Sequence, residues 1–153
     1  MKRFLFVLLP LLYIVSPIAI AQESSRIEAE KVAFFTRELD LSVSDAEKFW
    51  PVYNDYSHRK EKLTQDRNAL LKYVNQNFTN MSDDEMEDSG NKIVQFAVDD
   101  ASLTKEYHER FKTVLTPEKV IQLYTAEIQF KKFLLNQLQE RRNQGPSGSD
   151  IRR

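Results

Sequence analysis

Leu41-Ser42-Val43-Ser44-Asp45-Ala46-Glu47-Lys48-Phe49-Trp50-Pro51-Val52-Tyr53-Asn54-Asp55-Tyr56 decides how the chain is read. Ser42 followed three residues later by Asp45 resembles a capping box with Asp in place of Glu. It opens a helix whose first turn carries acid where the helix dipole favours it. Phe49, Tyr56, Leu63 and Leu70 then recur every seven residues, with Trp50, Tyr53, Leu71 and Val74 beside them, so the helix is expected to reach about Phe78. Pro51 lies inside the run. It removes a backbone donor and crowds the carbonyl one turn back, which predicts either a kink or a short helix joined to a longer one.

Working outward, Asn75 to Asn80 is a polar break. Ser82 and Glu85 after it form an S-x-x-E capping box, placing the start of a third helix at about Asp83. Its apolar set is Met86, Ile93, Phe96, Leu103, Tyr107, Phe111 and Val114, and Gly90 is a weak point rather than a stop. Thr116-Pro117 reads as N-cap plus proline at the first helical position, where a missing N–H costs nothing. The fourth helix should run to about Arg142 through Val120, Ile121, Leu123, Tyr124, Ile128, Phe130, Leu134 and Leu138. Upstream, residues 24–39 set Ile27, Val32, Phe35 and Leu39 on one side of an amphipathic first helix.

The chain opens with Lys2 and Arg3, an apolar run from Phe4 to Val15, and Ala19-Ile20-Ala21 before Gln22, the layout of a cleavable secretory signal over residues 1–21. An uncleaved anchor is the alternative, but Pro10 and Pro17 break a run well short of the roughly 20 residues that span a bilayer. The junction has no cysteine, so a lipoprotein anchor is excluded. Removing 21 residues from 153 leaves 132, one domain's worth, and losing Lys2 and Arg3 moves the formal net charge from -1 to -3. That balance leaves no basic field for nucleic acid. With no cysteine there is neither a disulfide framework nor a thiol nucleophile. A charged fraction of 29% beside three glycines favours long helices. The expected domain is 22–142, followed by a flexible tail over 143–153.

The fold class expected is all-α: four helices, two long ones forming an antiparallel hairpin with short flanking helices. Two details speak against a closed monomeric bundle, which remains the alternative. Lys60 and Arg67 interrupt the apolar stripe of the second helix, so they must snorkel or stay wet. The apolar residues of the fourth helix, including Phe130, Phe133, Leu134 and Leu135, spread around more of its circumference than one seam covers. They imply a second surface against another copy or a partner.

Leu41-Ser42-Val43-Ser44-Asp45 and Leu115-Thr116-Pro117-Glu118-Lys119 resemble two degenerate copies of the LTxxQ motif of the Spy/CpxP family of periplasmic stress proteins. The stretch to Tyr56, with Ala46, Lys48, Phe49, Trp50, Pro51, Val52 and Tyr53, is closer still to the version common in Bacteroidetes, often labelled a sensor of extracytoplasmic sigma factors. The likeness covers about Arg26 to Leu138. It departs from the family at Asp45 and Lys119, where glutamine is usual, and at Ser42, where threonine is. The resemblance implies a curved, cradle-like homodimer in the periplasm that holds unfolded or partly folded clients without ATP. In some members it implies damping of a membrane stress sensor instead. Apolar and aromatic side chains ringed by charge would carry either role, and Phe49, Trp50, Tyr53 and Tyr56 are the candidates. The competing reading is that these four are core.

Little in the sequence points to chemistry. No G-x-S-x-G turn or phosphate-binding glycine loop is present, so an enzyme is not expected, and no cofactor is implied. His58 and His108 lie fifty residues apart near acids. A zinc or copper site built from them is a low-weight third possibility beside a solvated helix face. Asp83, Asp84, Glu85, Glu87 and Asp88 suit a helix N-terminus better than a cation, because they lack the calcium-loop pattern. Arg141, Arg142, Arg152 and Arg153 are read as solubilising.

Overall fold

A computed structural model describes residues 17–144 of the chain. Most of the expected signal peptide, residues 1–16, and the expected tail from 145 lie outside the described residues. Four helices follow one another: α1 (Pro17–Glu38), α2 (Val43–Asn77), α3 (Asp83–Val114) and α4 (Pro117–Gln144), with a short 3-10 turn, Phe78–Asn80, between α2 and α3. No strand occurs among the described residues, and the fold is all-α as expected. Nor is any helix among them long and apolar enough to cross a membrane.

The chain divides into two units, Met1–Ala33 and Phe34–Arg153, so the division falls within α1. In the first, the described surface is held by pairs along the helix, Arg26 with Glu30 at 3.0 Å and Lys31 with Glu28 at 2.7 Å. These are the exposed pairings that add little individually to a helix. All that follows concerns the second unit.

Each helix start is fixed by the side chain the sequence offers for it. Ser42 accepts from the Asp45 backbone N–H at 3.1 Å while the Asp45 carboxylate accepts from the Ser42 N–H, so Asp serves in the box as Glu does. Ser82 and Glu85 form the same reciprocal pair at the head of α3. Thr116 Oγ1 accepts from the Lys119 N–H, and α4 begins at Pro117 as expected. α1 ends in a Schellman turn: Asp40 sits at φ 45°, its N–H reaching the Arg37 carbonyl and that of Leu41 the Thr36 carbonyl. Aspartate is one of the few residues that tolerate this left-handed position.

α2 is a single helix of 35 residues that continues through Pro51, so the sequence alternative of two joined helices is not what forms. Pro51 and Glu47, whose carbonyl loses its donor, are both exposed, which leaves that carbonyl to solvent. α2 and α3 pair antiparallel. Phe49 meets Phe111, Tyr56 meets Thr104, and Lys60 meets Asp100, each step up one helix matched by a step down the other.

The core lies at the end of the hairpin away from its turn, where α1 and α4 also pack. Phe35 and Leu39 enter from α1, Phe49, Tyr53 and Tyr56 from α2, Leu103, Tyr107 and Phe111 from α3, and Val120, Leu123, Ala126 and Phe130 from α4. Towards the turn burial thins. Leu63, Leu70, Ile93 and Phe96 are half-buried, while Leu71, Tyr73, Phe78 and Val94 are exposed. Lys60, which the sequence required to snorkel or stay wet, lies 5.4 Å over the Tyr56 ring and ends 2.9 Å from Asp100.

Asp45 and Lys119, 74 residues apart in the chain, are partners. Lys119 Nζ donates to Asp45 Oδ2 at 2.7 Å and to the Asp40 carbonyl at 2.7 Å, joining the first turn of α4 to the head of α2 and the Schellman turn. Lys119, with the Ser42 side chain and N–H, holds the Asp45 carboxyl below its usual value of 3.8. A carboxyl depressed on folding contributes stability above its unfolded pKa, and that contribution is lost as pH falls through the folded value. Lys119→Met should therefore lower the urea midpoint at pH 7, and the gap from wild type should narrow as the pH is taken down to about 2. A gap that stays constant over that range would show that Asp45 is not the group Lys119 serves.

Candidate interaction surface

The four aromatic candidates of α2 divide by helical phase. Phe49, Tyr53 and Tyr56 follow one another at four and three residues, one face of a helix, and all three are buried, with Phe49 at 0% exposure. Phe49 packs on Tyr53 at 5.3 Å and on Phe111 at 6.1 Å between ring centroids, and Tyr56 meets Phe111 edge-on at 5.6 Å and Tyr107 at 5.2 Å. These distances are those of aromatic core packing. The candidate binding surface of Phe49, Trp50, Tyr53 and Tyr56 is corrected accordingly: three of the four are interior, and Trp50, one residue out of phase, alone keeps solvent access. The four-three spacing places the three on one helix face, and the packing against α3 shows what covers it.

Leu41, Ser42, Leu115 and Thr116 also serve the fold. Leu115 is buried and Ser42 and Thr116 cap helices, while Leu41 is half-buried beside Trp50. There Leu41, Val43, Ala46, Trp50 and Pro51, with Thr36, Ser42 and Glu47, line an open apolar cleft of about 510 Å³. One wall is the Schellman turn, because Thr36 and Leu41 are the residues its longer hydrogen bond joins. Val43, in the first turn of α2, is 79% exposed.

A second groove, about 570 Å³, runs along the α2–α3 pair over Leu63 and Leu103. Its charged lining residues are each engaged, Arg59 with Glu106 at 2.8 Å, Lys62 with Asp66 outside the groove at 2.6 Å, and Asp99 with the Gln95 amide at 2.8 Å. Beside it Tyr107 buries its ring fully and donates its hydroxyl to Asp55. Arg110 pairs with Asp55 at 2.9 Å and lies 4.3 Å over the Tyr107 ring. The Tyr107 hydroxyl and then Arg110 hold the Asp55 carboxyl below its usual range. On the other side of α2, burial pushes the Glu127 carboxyl of α4 up, opposed by Lys60 and by a hydrogen bond from Tyr53.

Of the four α4 residues singled out in the sequence, Phe133 and Leu135 are exposed, Leu134 is half-buried and Phe130 lies in the core. Ile121, Ile128 and Leu135, spaced by seven, and Leu138 one turn after Leu135, are exposed. Val120, Leu123, Ala126 and Phe130 fill the core, and Leu138, five turns after Val120 on the same face, is exposed near the end of the helix.

The histidines are separate. His108 Nδ1 lies 2.8 Å from the Tyr124 hydroxyl, and His58 lines the groove on α2. Among the described residues no three histidine or acidic side chains gather where a metal would sit. No family model, no curated protein and no solved structure matches the chain.

The division between core and surface sets the cost of two neighbouring truncations. Phe49→Ala should destabilise by about 3–5 kcal/mol through a cavity in the packed core. Trp50→Ala, at a half-exposed position, should cost about 1–2 kcal/mol and keep the helical spectrum. Urea denaturation of both variants checks this, and a Trp50→Ala protein as unstable as Phe49→Ala would place Trp50 in the core.

Proposed function

We propose that this protein is an exported envelope-stress protein that binds exposed apolar segments of unfolded or partly folded proteins without ATP. Catalysis, metal and cofactor have no part in this reading. The observation that carries it is apolar surface left over once the core is complete. The Trp50 cleft and the Ile121, Ile128, Leu135 and Leu138 stripe lie outside a core with no unpartnered buried side-chain polar atom among the described residues. The likeness of the Leu41–Tyr56 and Leu115–Lys119 segments to the Spy/CpxP motif supports the same reading, along with its periplasmic location and homodimeric assembly. Shallow apolar surface interleaved with charge suits weak, sequence-tolerant capture, since no deep pocket demands one ligand shape.

A second reading is a regulatory module that binds one membrane stress sensor or anti-sigma factor. The confinement of the Trp50 cleft to two helix ends favours it, since a small preformed cleft fits one defined anchor.

The two readings differ in breadth. Light scattering by two unrelated unfolding proteins, without ATP, should be suppressed for both by the chain from Gln22 onward at near-stoichiometric ratio. Suppression of neither, by a sample shown to be folded and helical, would overturn the chaperone reading and leave the dedicated-partner reading.

A further inference from the structure

We propose that the cleft beside Trp50 selects peptide segments in which a bulky apolar residue stands next to a lysine or arginine. The inference rests on the binding reading above and specifies what the cleft takes. The walls supply the apolar half of the preference: Leu41, Val43, Ala46, Trp50 and Pro51 leave room for one or two large side chains. Among the polar lining groups, the Ser42 hydroxyl is committed to the Asp45 N–H in the capping box.

Glu47 is the one charged residue that lines the cleft, and among the described residues its carboxylate takes part in no hydrogen bond or ion pair. The nearby cations are engaged elsewhere, Lys119 with Asp45 and the Asp40 carbonyl, and Arg37 with Glu38 at 2.9 Å. Lys48 follows Glu47 in the chain but lies about 100° further round the helix and does not line the cleft. An apolar occupant excludes water from this carboxylate without replacing its hydrogen bonds, which is unfavourable unless the occupant brings a cation. In the groove over Leu63 and Leu103 both lining carboxylates have partners, Glu106 in Arg59 and Asp99 in the Gln95 amide, which donates to it at 2.8 Å.

Trp50 is the only tryptophan in the chain, so its emission reports occupancy of the cleft directly. The test is a titration of the folded chain at low salt with two end-capped peptides sharing a central Leu-Phe pair, one flanked by lysines and the other by glutamates. The lysine-flanked peptide should shift Trp50 emission and bind about fivefold more tightly than its glutamate counterpart, the effect of one exposed ion pair against repulsion. The difference should shrink as salt is added. Glu47→Gln, at an exposed position, should keep the helical spectrum and bring the two affinities together.

Equal affinity of the wild-type chain for both peptides, or binding without a change in Trp50 emission, overturns the proposal. If the chain still suppresses light scattering in either case, binding survives and only the cleft assignment fails. Loss of both peptide binding and suppression removes the binding reading itself.

Discussion

The packing of Tyr56 against Tyr107 and Phe111 is the contact on which the rest of the fold depends. Two helices of 35 and 32 residues with apolar residues at seven-residue intervals can slide past each other by a turn at small cost unless something fixes the register. Here the aromatic rings fix it sterically and their polar surroundings fix it chemically. The Tyr107 hydroxyl bonds Asp55, Tyr56 bonds Thr104, and Lys60 ends on Asp100. A slip of one turn would bury three aromatic rings against the wrong partners and strand a buried hydroxyl. α1 and α4 then close over the end of the hairpin where the rings are, with Phe35 and Phe130 packed 5.9 Å apart.

Much of this was legible from the chain. The capping residues Ser42, Ser82 and Thr116 announce helix starts because their chemistry is local, requiring only a side-chain oxygen and a free N–H three residues on. The surplus apolar circumference of α4 was legible in part: Phe133 and Leu135 remain exposed, while Phe130, singled out with them, packs into the core. Other features depend on pairing across the fold. Asp45 and Lys119 read in sequence as two unrelated charged residues; only the approach of α4 to the head of α2 makes them one charged pair. The aromatic run of α2 offered four candidates for a binding face. An aromatic stripe looks the same whether a client or a partner helix covers it.

The buried core and the open apolar cleft are thus made of adjacent but different residues. Phe49 and Trp50 are neighbours in sequence and their rings touch at 5.0 Å, yet one is sealed against Phe111 and the other forms a wall open to solvent. The same turn that ends α1 and the same cap that begins α2 shape that wall, so the cleft is a by-product of how the two helix ends are held by Lys119. On this account binding needs no opening of the hairpin, and the aromatic core stays packed while the surface is occupied.

Hydrogen exchange of individual amides, measured with and without an unfolded client, tests that account most directly. It predicts added protection around Leu41 to Pro51, with the slow amides of Tyr53 to Arg59 and Leu103 to Phe111 unchanged. Faster exchange in those two core segments on client binding would contradict it, because it would mean that the hairpin opens and offers its aromatic core to the client.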